Sequence, residues 1–274
     1  MGDRPGGPPT RGVSISRDGT PIAWFRSGSG PPLVLVHGAT ADHTTFRVVE
    51  PLLHGRFTCY ALDRRGRGAS GDTLPYSIIR EFEDVAAVVD TASLESGRPV
   101  DLLGHSYGGW CALGAALRTP NVRRLVVYEG GPSPHAGSAP ARGLAARLRA
   151  LLAHGDREAF VRLFMRKVVG MTPDELAAFE ASPVWPARVA AAETALRELE
   201  EAPTSESGLD ALAAVTVPVL LLLGGETAPV FRIEIEALAA RLPDARIAVL
   251  PGQKHAAHHT APERFVAEVV RFLD

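Results

Sequence analysis

The stretch Leu33-Val34-Leu35-Val36 follows Pro31-Pro32, stops at His37-Gly38 and contains no polar residue. A strand with one wet face would alternate, so an unbroken apolar run reads as a strand buried on both faces. Phe57–Leu62, Val100–Leu103, Leu125–Tyr128, Val217–Leu223 and Ala245–Leu250 have the same character. Val13–Ser16 and Ile22–Phe25 flank Asp18-Gly19, a hairpin turn signal, and predict a pair of opening strands. Between the later runs the period changes to that of a helix. Ile78, Phe82, Val85 and Val89 share one helical face, as do Phe265, Val269 and Phe272, and Pro243 closes a helix that begins near Phe231. Buried strands alternating with helices predict an α/β protein: a mostly parallel, twisted sheet of about eight strands covered by helices on both faces.

The alternation stops once. From Pro132 to Leu212 there is helix pattern and no convincing strand; Leu144–Leu152, Arg157–Val169, Pro173–Ala181 and Trp185–Leu199 read as helices. Pro132, Pro134 and Pro140 lead in, and Pro203-Thr204-Ser205 leads out. The expected organisation is a helical cap, 132–212, inserted after the sixth strand of a core made of 13–131 and 213–274. Residues 1–12 are rich in Gly and Pro, lack the apolar centre of a signal peptide and are expected to be disordered.

Composition narrows the partners. The 274 residues are 46% hydrophobic and 22% charged, the balance of a soluble globular protein, with a net charge of −2. A nucleic-acid surface would need a basic excess or stripe, and none is present. No run reaches the roughly 18 apolar residues of a membrane span, so no membrane partner is expected. Cys59 and Cys111 sit in apolar runs without metal-binding spacing and read as small buried hydrophobes. A reduced, cytoplasmic setting fits them. Oligomeric state is not written in the sequence.

The most informative stretch is Val100 to Trp110: a buried strand, then Gly104-His105-Ser106-Tyr107-Gly108, then a helix starting near Tyr107. This is G-x-S-x-G in the strand–turn–helix context of a nucleophile elbow, in which glycines flank a serine on a turn too tight for a Cβ beside it. The helix N-terminus behind the serine offers a free backbone N–H and a positive dipole end.

On these residues the chain resembles the α/β-hydrolase superfamily from Val13 to Asp274, in its serine-nucleophile branch. The resemblance implies Ser106 as nucleophile. His37-Gly38-Ala39 resembles the family's oxyanion turn, which implies the N–H groups of Ala39 and Tyr107 as oxyanion donors. Asp63-Arg64-Arg65-Gly66-Arg67-Gly68-Ala69-Ser70 resembles a structural turn of the family. His255, after the last strand and before Pro262-Glu263-Arg264-Phe265, stands where the family has its catalytic histidine, although Lys254 occupies a position that is more often Gly. The usual aspartate after the seventh strand is missing from Gly224-Gly225-Glu226-Thr227-Ala228-Pro229. Glu129, at the end of the sixth strand, is the favoured acid, and Glu226 is the alternative.

The implied activity is hydrolysis of a small, largely apolar ester, thioester or lactone through an acyl-enzyme, without cofactor or metal. The alternative is a lyase, cyclase or cofactor-free oxygenase reusing the same site. A zinc site of His255, His258 and His259 is the weaker reading, because it lacks the carboxylate or thiolate such sites usually add. Leu148, Leu152, Phe160, Phe164, Met165, Val168, Phe179 and Trp185 are expected to form the cap's core, with a minority lining a pocket. Arg142, Arg147, Arg149, Arg162 and Arg166 are expected to form a solvated face.

Overall fold

The computed structural model describes residues 9–133 and 135–274. The first half runs β1 (Thr10–Ile15), β2 (Pro21–Gly28), β3 (Pro32–Val36), α1 (Glu50–Leu53), β4 (Thr58–Leu62), α2 (Ile78–Ser96), β5 (Val100–His105), α3 (Tyr107–Ala115) and β6 (Val122–Tyr128). Six helices follow: α4 (Ala139–Ala153), α5 (Arg157–Phe164), α6 (Pro173–Glu180), α7 (Trp185–Ala190), α8 (Ala192–Glu200) and α9 (Leu209–Leu212). The chain closes with β7 (Val219–Gly224), α10 (Pro229–Ala239), β8 (Ala245–Leu250), α11 (Ala257–Thr260) and α12 (Pro262–Leu273). The eight strands form one sheet in the order β1-β2-β4-β3-β5-β6-β7-β8. Only β2 runs against its neighbours; all other neighbouring pairs are parallel.

Period-two alternation sorts the sheet's side chains between two cores. Val34, Val36, Leu102, Leu125 and Val127 face α2 and α3, where Phe82, Val85 and Val89 supply the helical side. Leu33, Leu35, Leu103, Val126 and Tyr128 face the opposite way, onto Phe46, Phe265, Val269 and Phe272. Both cores being dry, the central strands need an apolar residue at nearly every position, which is why their runs do not alternate in sequence; the edge strand β8, expected to be buried on both faces, instead leaves Ile247 and Val249 exposed. Cys59 and Cys111 are free thiols in opposite cores, and burial pushes both thiols well above their ordinary range.

Two expectations need correction. Met1–Pro8, and Pro134 within the lead-in, lie outside the described residues, but Thr10, Arg11 and Gly12 are ordered. They pair with Arg26, Phe25 and Trp24 at the start of β1. Antiparallel pairing along an edge supplies backbone hydrogen bonds that a Gly- and Pro-rich composition conceals. The helix expected over Arg157–Val169 is α-helical only to Phe164, and Met165–Val169 continue as one π-turn that ends at Gly170 in the left-handed region, φ 82°. Such turns re-aim side chains and recur beside functional sites.

The helices α4 to α8 bury their own apolar faces in a third cluster that includes Leu148, Phe160, Phe164, Met165, Leu176 and Trp185. Polar contacts tie them to the rest of the fold, among them Arg197 with Asp72, Glu175 with Lys254 and a buried cluster around Glu198. Glu198 on α8 accepts from Arg64 and from Arg67 (2.7 Å), with Arg64 also 3.7 Å from Glu81, all four side chains being buried. Among the described residues no helix is long and apolar enough to cross a membrane.

Candidate active site

Ser106 lies between β5 and α3 with φ 55° and ψ −129°. A non-glycine residue adopts a positive φ only where its surroundings over-determine it. Here the Ser106 amide donates to Tyr128 O at 2.9 Å, fastening the turn to β6. The space around the turn is exhausted. A Cβ on Gly108 would lie 2.4 Å from the carbonyl oxygens of Val36 and His37. One on Gly130 would lie 1.9 Å from Ser106 O. Both obstacles are backbone and cannot rotate away. Gly130→Ala is therefore expected to destabilise the fold by about 3 kcal/mol, the upper range for overpacking. Urea melts measure it, and an unchanged midpoint would show that the elbow has slack.

Glu129 follows Tyr128 at the end of β6, is fully buried and also has a positive φ, 48°. Its carboxylate takes three hydrogen bonds: from Gly224 N (2.6 Å), from Thr227 Oγ1 (2.9 Å) and from His255 Nδ1 (2.7 Å). Glu226 is exposed, and its side chain has no hydrogen bond or ion pair among the described residues. The carboxylate on His255 is thus Glu129, the favoured of the two candidates.

His255 is held from several sides. The Phe231 ring stacks on it at 3.9 Å and 12°. His105 Nε2 lies 2.9 Å from the His255 carbonyl. Burial and the neighbouring His255 drive the His105 pKa well below the usual range, so His105 is neutral and donates there through Nε2–H. Tyr128 Oη donates to Lys254 O and accepts from Ala257 N at 2.9 Å. With Nδ1 committed to Glu129, Nε2 is the nitrogen left to the cavity that His255 and Ser106 both line. No hydrogen bond joins the two residues in this structure; such contacts often tighten only when substrate is bound.

Ala39 and Tyr107 line the cavity with Ser106, and neither backbone N–H has a partner among the described residues. The turn bearing Ala39 is braced by His37. This buried ring bonds Gly38 O through Nδ1 (2.8 Å) and accepts the Arg64 amide at Nε2 (3.0 Å). Burial, with Arg64 nearby, keeps it neutral by lowering its pKa well below the usual range.

Ser106 stands where two cavities meet. The larger, about 300 Å³, has walls from Tyr107, Trp110, Phe164, Val168, Leu199 and Phe231. The smaller, about 90 Å³, lies on the His255 side. Of the residues expected in the cap core, Phe164 and Val168 reach both cavities, and Met165 and Phe179 reach the smaller one. Sequence reasoning missed Phe231, Thr227, His105 and Glu234, whose positions depend on how distant loops converge. No group of three or more His, Cys, Asp or Glu among the described residues is arranged to hold a metal ion.

Glu234 on α10 lines the larger cavity and is buried. Burial raises its carboxyl from 4.5 to about 7, against the lowering effect of Ser133 and with the Glu129 charge adding to the rise. The folded chain therefore holds this proton more tightly than the unfolded chain. Its stabilising contribution is complete below the unfolded pKa and is lost as pH climbs toward 7. Glu234→Gln is expected to leave stability at pH 4 nearly unchanged and to raise it by about 3 kcal/mol at pH 8. Urea melts at the two pH values test this; an equal effect at both contradicts it.

A doubly covered, mostly parallel sheet with a serine at the strand–helix elbow after its β5 strand defines the class: this is an α/β hydrolase. The sequence profile of the alpha/beta hydrolase family matches residues 33–268, and the chain belongs to that family. It is similar to an alpha/beta hydrolase from Sphaerobacter thermophilus, with 35% identity, a TM-score of 0.79 and coverage of 96% of this chain and 100% of that one. It is also similar to an esterase from Rhodococcus sp., at 26% identity and a TM-score of 0.75, covering 96% of this chain and 98% of that one. A 2-(acetamidomethylene)succinate hydrolase from Mesorhizobium japonicum is 26% identical over 253 residues, 90% of this chain and 89% of the relative. The chain is an enzyme of hydrolase type.

Proposed function

We propose that the protein is a serine hydrolase that cleaves a small, largely apolar ester, thioester or lactone through an acyl-enzyme on Ser106. One observation carries the reading: a buried Glu129–His255 pair shares a cavity wall with a serine held at φ 55° on a helix N-terminus. His255 Nε2 takes the Oγ proton as Oγ attacks the acyl carbonyl. The carbonyl oxygen, now negative, rests on the Ala39 and Tyr107 amides, each such donor contributing about 3 kcal/mol to the barrier reduction. Glu129 fixes the Nδ1–H tautomer and stabilises the imidazolium. The intermediate collapses, and the departing alcohol or thiol takes the proton from Nε2. Water, deprotonated by His255, then attacks the acyl-enzyme, and the carboxylic acid leaves with Oγ reprotonated. Helices α4 to α9 act as the cap over residues 132–212, and their apolar walls favour an apolar arm in the larger cavity.

The test is intact mass after exposure to a fluorophosphonate. One adduct is expected on the wild type and none on Ser106→Ala. A folded wild type that takes no adduct would overturn the reading and favour lyase, cyclase or cofactor-free oxygenase chemistry in the same site.

A further inference from the structure

Among the described residues four arginines are buried, and three of them are paired. Arg64 and Arg67 share Glu198, and Arg65 forks onto Asp84 at 2.6 and 2.7 Å. The fourth, Arg188 on α7, has no carboxylate within ion-pair distance among the described residues, yet is only 9% exposed. Its single hydrogen bond runs from Nη2 to Thr45 Oγ1 at 3.2 Å, and the Phe179 ring lies 5.7 Å from the guanidinium carbon. Nε and Nη1 are unbonded, and neither is sealed from accessible space. Asp42 attracts the guanidinium from beyond ion-pair distance, and its Oδ1 accepts the amide and hydroxyl of Thr44. A cation withdrawn from water without a counter-ion destabilises the fold, so an unpaired buried guanidinium points to an anion that arrives from outside.

The place it faces agrees. Arg188 lines the smaller cavity with Ser106 and His255. The other ionisable groups there include His105 and His258, both kept neutral by burial, and His259, lowered to about 4 by burial and the arginines Arg47 and Arg188. No carboxylate among the described residues lines it. The larger cavity has the opposite balance: Glu129, Glu198, Glu201 and Glu234 reach it, with Lys167 as its one lining cation among the described residues. A volume of about 90 Å³ has room for a carboxylate and a short aliphatic spacer.

We propose that the smaller cavity is a carboxylate subsite in which Arg188 binds a free carboxylate of the substrate, a short spacer away from the carbonyl attacked by Ser106. The substrate class is then an acid ester or thioester: one arm apolar, in the larger cavity, and one arm ending in a carboxylate. This deepens the serine-hydrolase reading and rests on it for the position of the scissile bond.

Two measurements test it on the full chain. In the first, succinate is added to Ser106→Ala protein, with succinamide as the neutral counterpart. Millimolar succinate is expected to raise Tm and succinamide is not, and the rise is expected to vanish in Ser106→Ala/Arg188→Met. In the second, mono-4-nitrophenyl succinate and 4-nitrophenyl butyrate are compared. Arg188→Met is expected to lower the ratio of their kcat/KM values at least 50-fold, chiefly through KM of the acid. Without ligand, Arg188→Met is expected to melt at or above the wild-type temperature; a clear drop would make Arg188 a structural cation and overturn the proposal. A wild type that takes the fluorophosphonate but has no succinate response and no change in ratio also overturns it, while leaving the hydrolase reading intact. A succinate response that depends on Arg188 in a protein that takes no fluorophosphonate upholds the subsite and overturns the hydrolase.

Discussion

Replacing Ser106 with alanine is expected to lower kcat by about a million-fold, as loss of a nucleophile does when base and nucleophile act as a unit. A residue of about 10³-fold over water should persist, because the Ala39 and Tyr107 amides and the cavity walls remain. The fold should tolerate the change: the Ser106 side chain makes no hydrogen bond among the described residues, and alanine meets the same backbone constraint at φ 55°. Steady-state kinetics with a chromogenic ester, alongside a thermal melt, separate the two effects. Turnover within tenfold of the wild type in a folded variant would remove Ser106 from the chemistry.

Glu129→Gln is expected to cost about 10⁴-fold in kcat, with KM changed far less. The carboxylate has two oxygens and three donors: Gly224 N holds Oε1, while Thr227 Oγ1 and His255 Nδ1 share Oε2. An amide keeps one acceptor and adds a donor, which favours the tautomer with Nδ1 unprotonated and Nε2 unable to accept the serine proton. Glu226→Gln should leave kcat within about twofold, since an exposed carboxylate without a partner has little to lose. A larger loss at Glu226 than at Glu129 would reverse the assignment.

The two-faced sheet and the elbow could be read from the sequence because each rests on local pattern, whereas His255 was singled out by the family resemblance. Leu33–Val36 is apolar throughout because both its faces are dry, and Gly108 is glycine because the neighbouring strand leaves no room beside it. The acid was harder. Its partner lies 126 positions away, and only the adjacency of β6 to β5 and β7 brings Glu129 beneath His255. Glu129 could still be favoured because some branches of the family the chain resembles draw their acid from that strand end, and because a carboxylate ending a buried strand needs a partner. Arg188 gave no such hint. Among the cap's arginines, Arg142, Arg147, Arg149 and Arg166 are exposed as expected, and Arg162 is half-exposed and paired with Glu180. What sets Arg188 apart is that no carboxylate among the described residues lies within ion-pair distance, which emerges only once α7 is folded against Thr45.

The pairing of Glu198 with Arg64 and Arg67 bears on modularity. A cap that merely lay on the sheet could be exchanged between relatives as a cassette. Here α8, in the segment proposed as the cap, supplies the carboxylate that two buried arginines share, and removing one partner of such a group leaves uncompensated charge, at about 3–5 kcal/mol. Roof and floor therefore inherit together. A transplanted cap must bring an acid at the position of Glu198, or the recipient core must give up its arginines. Recombination that cuts at the cap boundaries should yield insoluble chimaeras more often than sequence similarity alone would suggest.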